Sequence, residues 1–171
     1  NAHPIAEIFN QKDLQELAET LGVKYVNKIN ATNHERYTDR RPQFDTDGDG
    51  AKDAIVIRTT IWHDTEGNHV DSALQKFAKN PYTNGGTHGE HDGKGSYHIM
   101  IGRNGEMDGA IISTVALDKT AFGAGSPEIN HTSFNISFVG KHDEPLTQKQ
   151  RETGKALALL IHQKFPTIPS T

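Results

Sequence analysis

The chain contains no cysteine, which excludes disulfide frameworks, thiolate nucleophiles and cysteine-based zinc sites. It has no apolar run long enough to span a membrane and no signal-peptide pattern, so we expect no membrane insertion. The net charge of −4 argues against electrostatic binding to nucleic acid. Apolar residues make up 33% of 171 residues, typical of a loop-rich domain with a modest core. Because the chain begins with Asn, we expect a processed chain or an excised piece.

Local patterns predict alternating helices and strands. Asn10 is a helix N-cap, apolar residues follow at helical spacing, and Gly22 ends that helix. The run AIVIRTTIW (54–62) is rich in β-branched residues and predicts a buried strand. The dipeptide Asn104-Gly105 predicts a hairpin between two strands. The other predicted elements are those hairpin strands (about 97–103 and 106–113), a short helix (71–78), a strand (133–140) and a helix opened by a capping box (147–150).

An acidic loop, DTDGDGAKD, precedes the first predicted strand. Its four aspartates are Asp45, Asp47, Asp49 and Asp53. Alternating aspartates bring several carboxylate oxygens together on a tight loop, and Gly50 permits the sharp turn, as a calcium ion requires. The complete EF-hand is not present, since its twelfth position is Val56. A solvated acidic turn is the alternative, but the mutual repulsion of four charges favours a structural calcium loop.

Four of the ten histidines form the second set of metal-ligand candidates. Without cysteine, a zinc site must use imidazole, carboxylate and water. His63 stands where the strand 54–62 ends, facing a cleft. The Gly-rich loop 80–96 carries His88 and His91, and His98 follows Tyr97. The spacing of His88 and His91 is a weak signal outside a helix, so these three histidines are the weaker zinc candidates beside His63.

Three motifs in order carry a resemblance to a known family: WHDTEG after the strand 54–62, then SYHIMIGRNGEM, then NHTSFNISFVG. With the Gly-rich loop and the C-terminal helix, they resemble the zinc-dependent N-acetylmuramoyl-L-alanine amidases, which include phage-lysozyme-type enzymes and the peptidoglycan recognition proteins. The resemblance covers roughly residues 53–168.

The resemblance implies an α/β fold with a central mixed β-sheet flanked by helices. We expect an N-terminal helical extension (1–44), then an amidase-like domain (45–171) that opens with the calcium-type loop 45–53. The implied function is a cell-wall hydrolase that cuts peptidoglycan between the muramic acid lactyl group and L-alanine. By the same resemblance His63 is a zinc ligand, and Tyr97 is the catalytic residue that polarises the attacked carbonyl or positions water. The expected location is extracellular, periplasmic or virion-associated.

The sequence departs from the family pattern near its end. The family's further zinc ligands follow the last helix, whereas this chain stops at Thr171, and Ser137 replaces a glutamate that some members carry. Three explanations stay open: the ligands lie further on, the site is lost and only wall binding remains, or the weaker zinc candidates rebuild it. The rival functions are a catalytically inactive peptidoglycan-binding or virion structural module, and a calcium-stabilised adhesion or assembly domain.

Overall fold

The computed structural model describes residues 5–29, 39–52, 55–66, 96–121 and 127–170. Within these ranges the strands are β1 (Tyr25–Asn27), β2 (Thr59–Asp64), β3 (Ile99–Ile101), β4 (Ile111–Ser113) and β5 (Ser133–Phe138). The helices are α1 (Ile5–Ile8), α2 (Gln11–Leu21), α3 (Pro127–His131), α4 (Gln148–Lys164) and a short 3-10 helix (Gly105–Met107). The predicted helix 71–78 lies outside the described residues.

The strands form one mixed sheet in the order β1-β4-β3-β5-β2. Only β3 and β4 pair antiparallel, and the other three pairings are parallel. Strand β2 lies at one edge, and its partner β5 runs beside it with His63 opposite Ser137. Because parallel neighbours end at the same side of a sheet, the last residues of these two strands meet there. The predicted fold class, a mixed sheet with helices and an N-terminal helix, is confirmed.

The two longer helices begin where their caps predict. Asn10 accepts hydrogen bonds from the backbone of the first turn of α2, and Gly22 ends that helix in the left-handed conformation at φ 70°. Thr147 and Gln150 form the capping box of α4. Local side-chain chemistry therefore fixes both helix starts.

The predicted hairpin is present, but its turn differs from the predicted two-residue type. Strands β3 and β4 pair antiparallel, and the chain between them forms the 3-10 helix rather than a tight turn at Asn104 and Gly105. Gly102 makes this possible, since a Cβ there would lie 2.2 Å from the Met107 carbonyl oxygen. The strands are consequently shorter than the alternation of apolar residues indicated.

The main core lies between one face of the sheet and the helices α2 and α4. Its largest fully buried side chains include Phe9, Leu14, Phe134, Leu157 and Ile161. The N-terminal segment supplies both α2 and the edge strand β1 to this assembly, and the proposed boundary at residue 44 stays a prediction. A smaller cluster, Met100, Ala110, Ile112 and Val139, lies apart from it. The strands of the sheet are thus held in place by the helices that pack on one of its faces.

A buried arginine connects the segment before β2 to the sheet. Arg40 is only 4% exposed and donates hydrogen bonds to the backbone carbonyls of Leu117 (3.1 Å), Asn130 (3.2 Å) and His131 (3.0 Å). Its guanidinium also lies over the Phe134 ring. Burial lowers the pKa of Arg40 to about 9, which leaves it charged at neutral pH. A desolvated charge is tolerated here because several carbonyls accept from it.

His98 lies against this arginine with no exposed surface. The Asn135 backbone N–H donates to His98 Nδ1 at 3.0 Å, so the ring proton is on Nε2, which donates to the Lys119 carbonyl at 2.8 Å. Burial, reinforced by the charge of Arg40, lowers the pKa of His98 to about 3. His98 is therefore a neutral structural histidine with both nitrogens in hydrogen bonds.

We predict that His98 makes the protein acid-sensitive. Unfolded histidine binds its proton near pH 6.5, whereas folded His98 does so near pH 3. Between these values the unfolded state holds more protons, so the free energy of unfolding falls as the pH drops from about 6.5 towards 3. The free energy of unfolding should be measured in urea at pH 6, 5 and 4. Its slope against pH should be about 1.4 kcal/mol per pH unit smaller in His98→Asn than in the wild type.

Thr153→Val provides the control for that measurement, since it removes a buried hydrogen bond to the Gly109 carbonyl but no titratable group, and it should keep the wild-type slope. An unchanged slope in a folded His98→Asn variant would contradict the burial of a neutral imidazole at this position.

Candidate functional site

The structure brings His63 and Tyr97 together at the carboxyl end of β2. Both side chains are half-buried, and their ring centroids lie 5.0 Å apart at an angle of 42°. Tyr97 precedes β3, while His63 stands one residue before the end of β2. The register pairs Ile99 with Ile136 and Ile136 with Trp62, so the start of β3 lies level with the last residues of β2, and two side chains that are far apart in sequence meet.

Asn135 fixes the orientation of the His63 ring. The His63 Nε2 atom lies 3.0 Å from Asn135 Oδ1, and the Asn135 amide nitrogen donates to Ser133 Oγ at 3.3 Å. The amide oxygen can only accept, so His63 carries its proton on Nε2 and its lone pair on Nδ1. Within the described part of the chain no hydrogen bond engages Nδ1. Metal-ligating histidines are commonly held in this way, with the second nitrogen donating to a fixed acceptor.

Asn135 also links the site to the buried core. Its backbone N–H donates to His98 Nδ1, and its backbone carbonyl accepts from the His98 N–H at 2.8 Å. Arg40 Nη2 lies 3.2 Å from His98 Nε2 on the far side of that ring. Neither Arg40 nor Asn135 is among the site residues predicted from the sequence. The one feature of the sequence that could have indicated Asn135 is its side-chain amide on the predicted strand 133–140, which could pair with the strand that precedes His63.

The position of His98 argues against its role as a zinc ligand. It is fully buried, and a metal would have to displace one of its two ring hydrogen bonds. We therefore assign it a structural role. The other weaker zinc candidates, His88 and His91, lie outside the described residues.

The Tyr97 hydroxyl points towards the end of β2, 3.5 Å from the Asp64 carbonyl oxygen. Burial raises the pKa of Tyr97, and the nearby carboxylates of Asp64 and Glu66 raise it further. The phenol is therefore neutral at physiological pH and retains its proton. Such a group can donate a hydrogen bond to an oxygen on which negative charge develops.

Three further polar side chains, which the sequence analysis did not single out, surround the end of β2. Asp64, Glu66 and His142 bring ligand atoms within 4.8 Å of one another. The His142 backbone N–H donates to Glu66 at 3.0 Å, and its ring lies 3.4 Å from an Asp64 carboxylate oxygen. A hydrogen bond with Asp64 raises the pKa of Glu66. Because they bond mainly to each other, we describe them as a polar rim beside Tyr97.

The acidic loop has the compact form that its sequence predicts. Asp45 accepts hydrogen bonds from the Gly48 and Gly50 backbones at 2.8 and 2.7 Å, and Gly50 lies at φ 88°. These bonds lower the pKa of Asp45. The carboxylates of Asp45, Asp47 and Asp49 lie within 4.8 Å of one another and are exposed. Asp53, the fourth predicted ligand, lies outside the described residues.

A family zinc ion would find one suitable ligand among the described residues. His63 fits that role by its position and its unengaged Nδ1. A catalytic zinc requires three protein ligands, and no cluster of three metal-capable side chains in the described ranges includes His63. The described residues therefore do not complete a zinc site, and we assign no chemical step to a metal.

Comparison with known proteins places these motifs in a family. The sequence model of Amidase_2, described as N-acetylmuramoyl-L-alanine amidase, matches residues 53–171. A search of curated protein sequences finds no match. No described helix is long and apolar enough to cross a membrane.

Three solved structures show the same fold at low sequence identity. A selenomethionine derivative of AmpD superposes with a TM-score of 0.55 at 19% identity, covering 85% of this chain and 76% of its own. Drosophila peptidoglycan recognition protein SA gives 0.51 at 16% identity, covering 84% and 74%. The endolysin LysCS, an N-acetylmuramoyl-L-alanine amidase from Clostridium intestinale, gives 0.50 at 19% identity, covering 86% and 80%. Since the family match spans more than half of the chain, this protein belongs to the Amidase_2 family of N-acetylmuramoyl-L-alanine amidases.

Proposed function

We propose that this protein is a peptidoglycan hydrolase that cleaves the amide bond between the muramic acid lactyl group and L-alanine. The observation that carries the proposal is the pairing of His63 with Tyr97 at the carboxyl end of β2, in a chain of this family. The names of the neighbouring endolysin and recognition protein support an extracellular, periplasmic or virion-associated setting.

In this proposal His63 and Tyr97 have different roles. Asn135 holds the His63 ring so that Nδ1 presents its lone pair to the cleft as a zinc ligand, with the remaining ligands outside the described residues. A bound zinc ion would supply Lewis acidity to polarise an amide carbonyl. Tyr97, kept neutral by burial and by nearby carboxylates, donates a hydrogen bond to the oxygen of the attacked carbonyl.

A wall-binding module without catalysis is the second candidate. Two observations favour it: the described residues give one zinc ligand, and Ser137 stands where some family members carry glutamate. Binding would need the cleft and the polar rim but no metal. A calcium-stabilised adhesion domain is the remaining rival, and absence of retention on purified peptidoglycan would favour it over both wall-directed functions.

We predict that Tyr97→Phe lowers the release of the stem peptide, with L-alanine as its new amino terminus, from a soluble muropeptide by about a hundredfold to a thousandfold, because one hydrogen bond to the developing charge is lost. His63→Ala should abolish the release. The assay is mass spectrometry of the products in the presence of zinc. Tyr25→Phe is the matched control, since it removes a phenol hydroxyl that bonds to Ser113 away from the cleft.

Full activity in Tyr97→Phe would remove Tyr97 from the mechanism. No cleavage by the wild type, together with retention on purified peptidoglycan, would instead establish the binding module.

We also propose that the loop 45–53 binds calcium and stabilises the segment before β2. The convergence of three carboxylates around backbone N–H donors supports this, because an exposed cluster of like charges gains most from a bound cation. Its role would be structural, since the loop precedes the strand that carries His63.

Removing calcium should therefore lower the melting temperature by about 2–4 °C for each kcal/mol of binding free energy lost. Calorimetry measures this directly, first with a chelator and then after calcium or magnesium is added back. Calcium should restore the melting temperature more fully than magnesium. Asp47→Asn should weaken the response, whereas Asp143→Asn, an exposed acid outside the loop, should preserve it. An unchanged melt on chelation would exclude the loop as a stabilising metal site.

A further inference from the structure

A groove of about 350 Å³ lies on the sheet face opposite His63, between the edge strand β2 and helix α4. Side chains alternate along a strand, so Trp62 and His63 point to opposite faces of the sheet. The strand register agrees, because Trp62 lies opposite the core residue Ile136, whereas His63 lies opposite Ser137. The groove is therefore separate from the candidate site and shares with it only the strand that carries both.

The floor of the groove is an aromatic platform. Trp62, the one tryptophan of the chain, is 37% exposed and stacks on Phe138 with centroids 5.7 Å apart and planes at 20°. Gly154 allows α4 to lie close to this pair, since a Cβ there would be 2.9 Å from the Phe138 ring. An exposed, supported indole face attracts the polarised C–H groups of a ring that lies flat on it.

Two cations stand beside the platform, one helical turn apart on α4. Arg151 donates to the Leu146 carbonyl at 2.6 Å and to Gln148 Oε1 at 2.8 Å, both neutral acceptors. Arg151 and Lys155 are exposed, and neither takes part in an ion pair among the described residues. The groove thus combines a flat apolar surface with positive charge that no carboxylate of the described chain neutralises.

A ligand that suits this groove has a sugar ring next to a carboxylate. Peptidoglycan offers both, in its glycan strand and in its stem peptides. A repeating polymer is long enough to contact both His63 and this groove, and β2 is an edge strand, so the path between them goes round a single strand. We infer that the groove is a second peptidoglycan contact, with a sugar ring on Trp62 and a stem-peptide carboxylate bound by Arg151 and Lys155. This inference rests on the proposed function.

The test separates binding of the polymer from cleavage of a short substrate. Trp62→Leu and Lys155→Glu should each weaken retention on purified insoluble peptidoglycan by about tenfold. Both should leave cleavage of a soluble single-repeat muropeptide unchanged, because such a fragment is too short to reach both sites. Lys12→Glu on α2 is the control, since it makes the same charge change at an exposed position away from the groove and should not affect retention.

Thermal melts identify any variant that is misfolded, and Lys155→Glu, at an exposed helical position, keeps the test valid if Trp62→Leu unfolds.

Wild-type retention that neither variant weakens would overturn the inference and leave the proposed activity untouched. Retention that both variants weaken, in a protein that cleaves nothing, would support the groove and contradict only the hydrolase. Light scattering that shows a dimer, dissociated by Trp62→Leu, would overturn the inference in favour of an interface between copies.

Discussion

The hydrogen bonds that the buried neighbours Arg40 and His98 make to the backbone are the constraint on which the candidate site depends. Arg40 bonds to three backbone carbonyls, and His98 uses both ring nitrogens to join the Lys119 and Asn135 backbones. An unpaired charge or imidazole in this position would be costly, so the segments that surround them are held in one arrangement. Asn135 transmits that arrangement to His63 through its side-chain amide.

The edge strand β2 gives the protein two different surfaces. His63 lies on one face with Tyr97, and the preceding residue, Trp62, lines a groove with aromatic and cationic character on the other face. The alternation of side chains along an extended strand produces this arrangement without any additional element. A wall polymer that contacts both surfaces would be held across the edge of the sheet, which explains how a small domain could engage an extended substrate.

Local signals in the sequence predicted much of the fold. The caps at Asn10 and Thr147 located two helices because capping depends on neighbouring residues. The apolar runs indicated β3, β4 and β5, whereas the buried strand predicted at 54–62 is the half-buried edge strand β2 at 59–64. The sequence did not predict β1 or α3, which are short and whose placement depends on distant partners. The prediction of a two-residue turn was wrong because the dipeptide Asn104-Gly105 does not reveal that Gly102 lets the Met107 carbonyl approach closely in a longer turn.

The candidate site was predicted less completely. Motif order singled out His63 and Tyr97, and the structure places them side by side. The same motif made His98 a metal candidate, since a sequence cannot show that both ring nitrogens are already in hydrogen bonds. Arg40 and Asn135 went unnoticed because their partners lie far away along the chain.

The most direct test of this account is the tautomer of His63, measured by long-range proton–nitrogen NMR correlation of its imidazole at neutral pH. The account predicts a proton on Nε2 and an unprotonated Nδ1 in the wild type, with that preference weakened in Asn135→Ala. A proton on Nδ1 in the wild type would contradict it, because Nδ1 would then have no lone pair to offer to a metal ion.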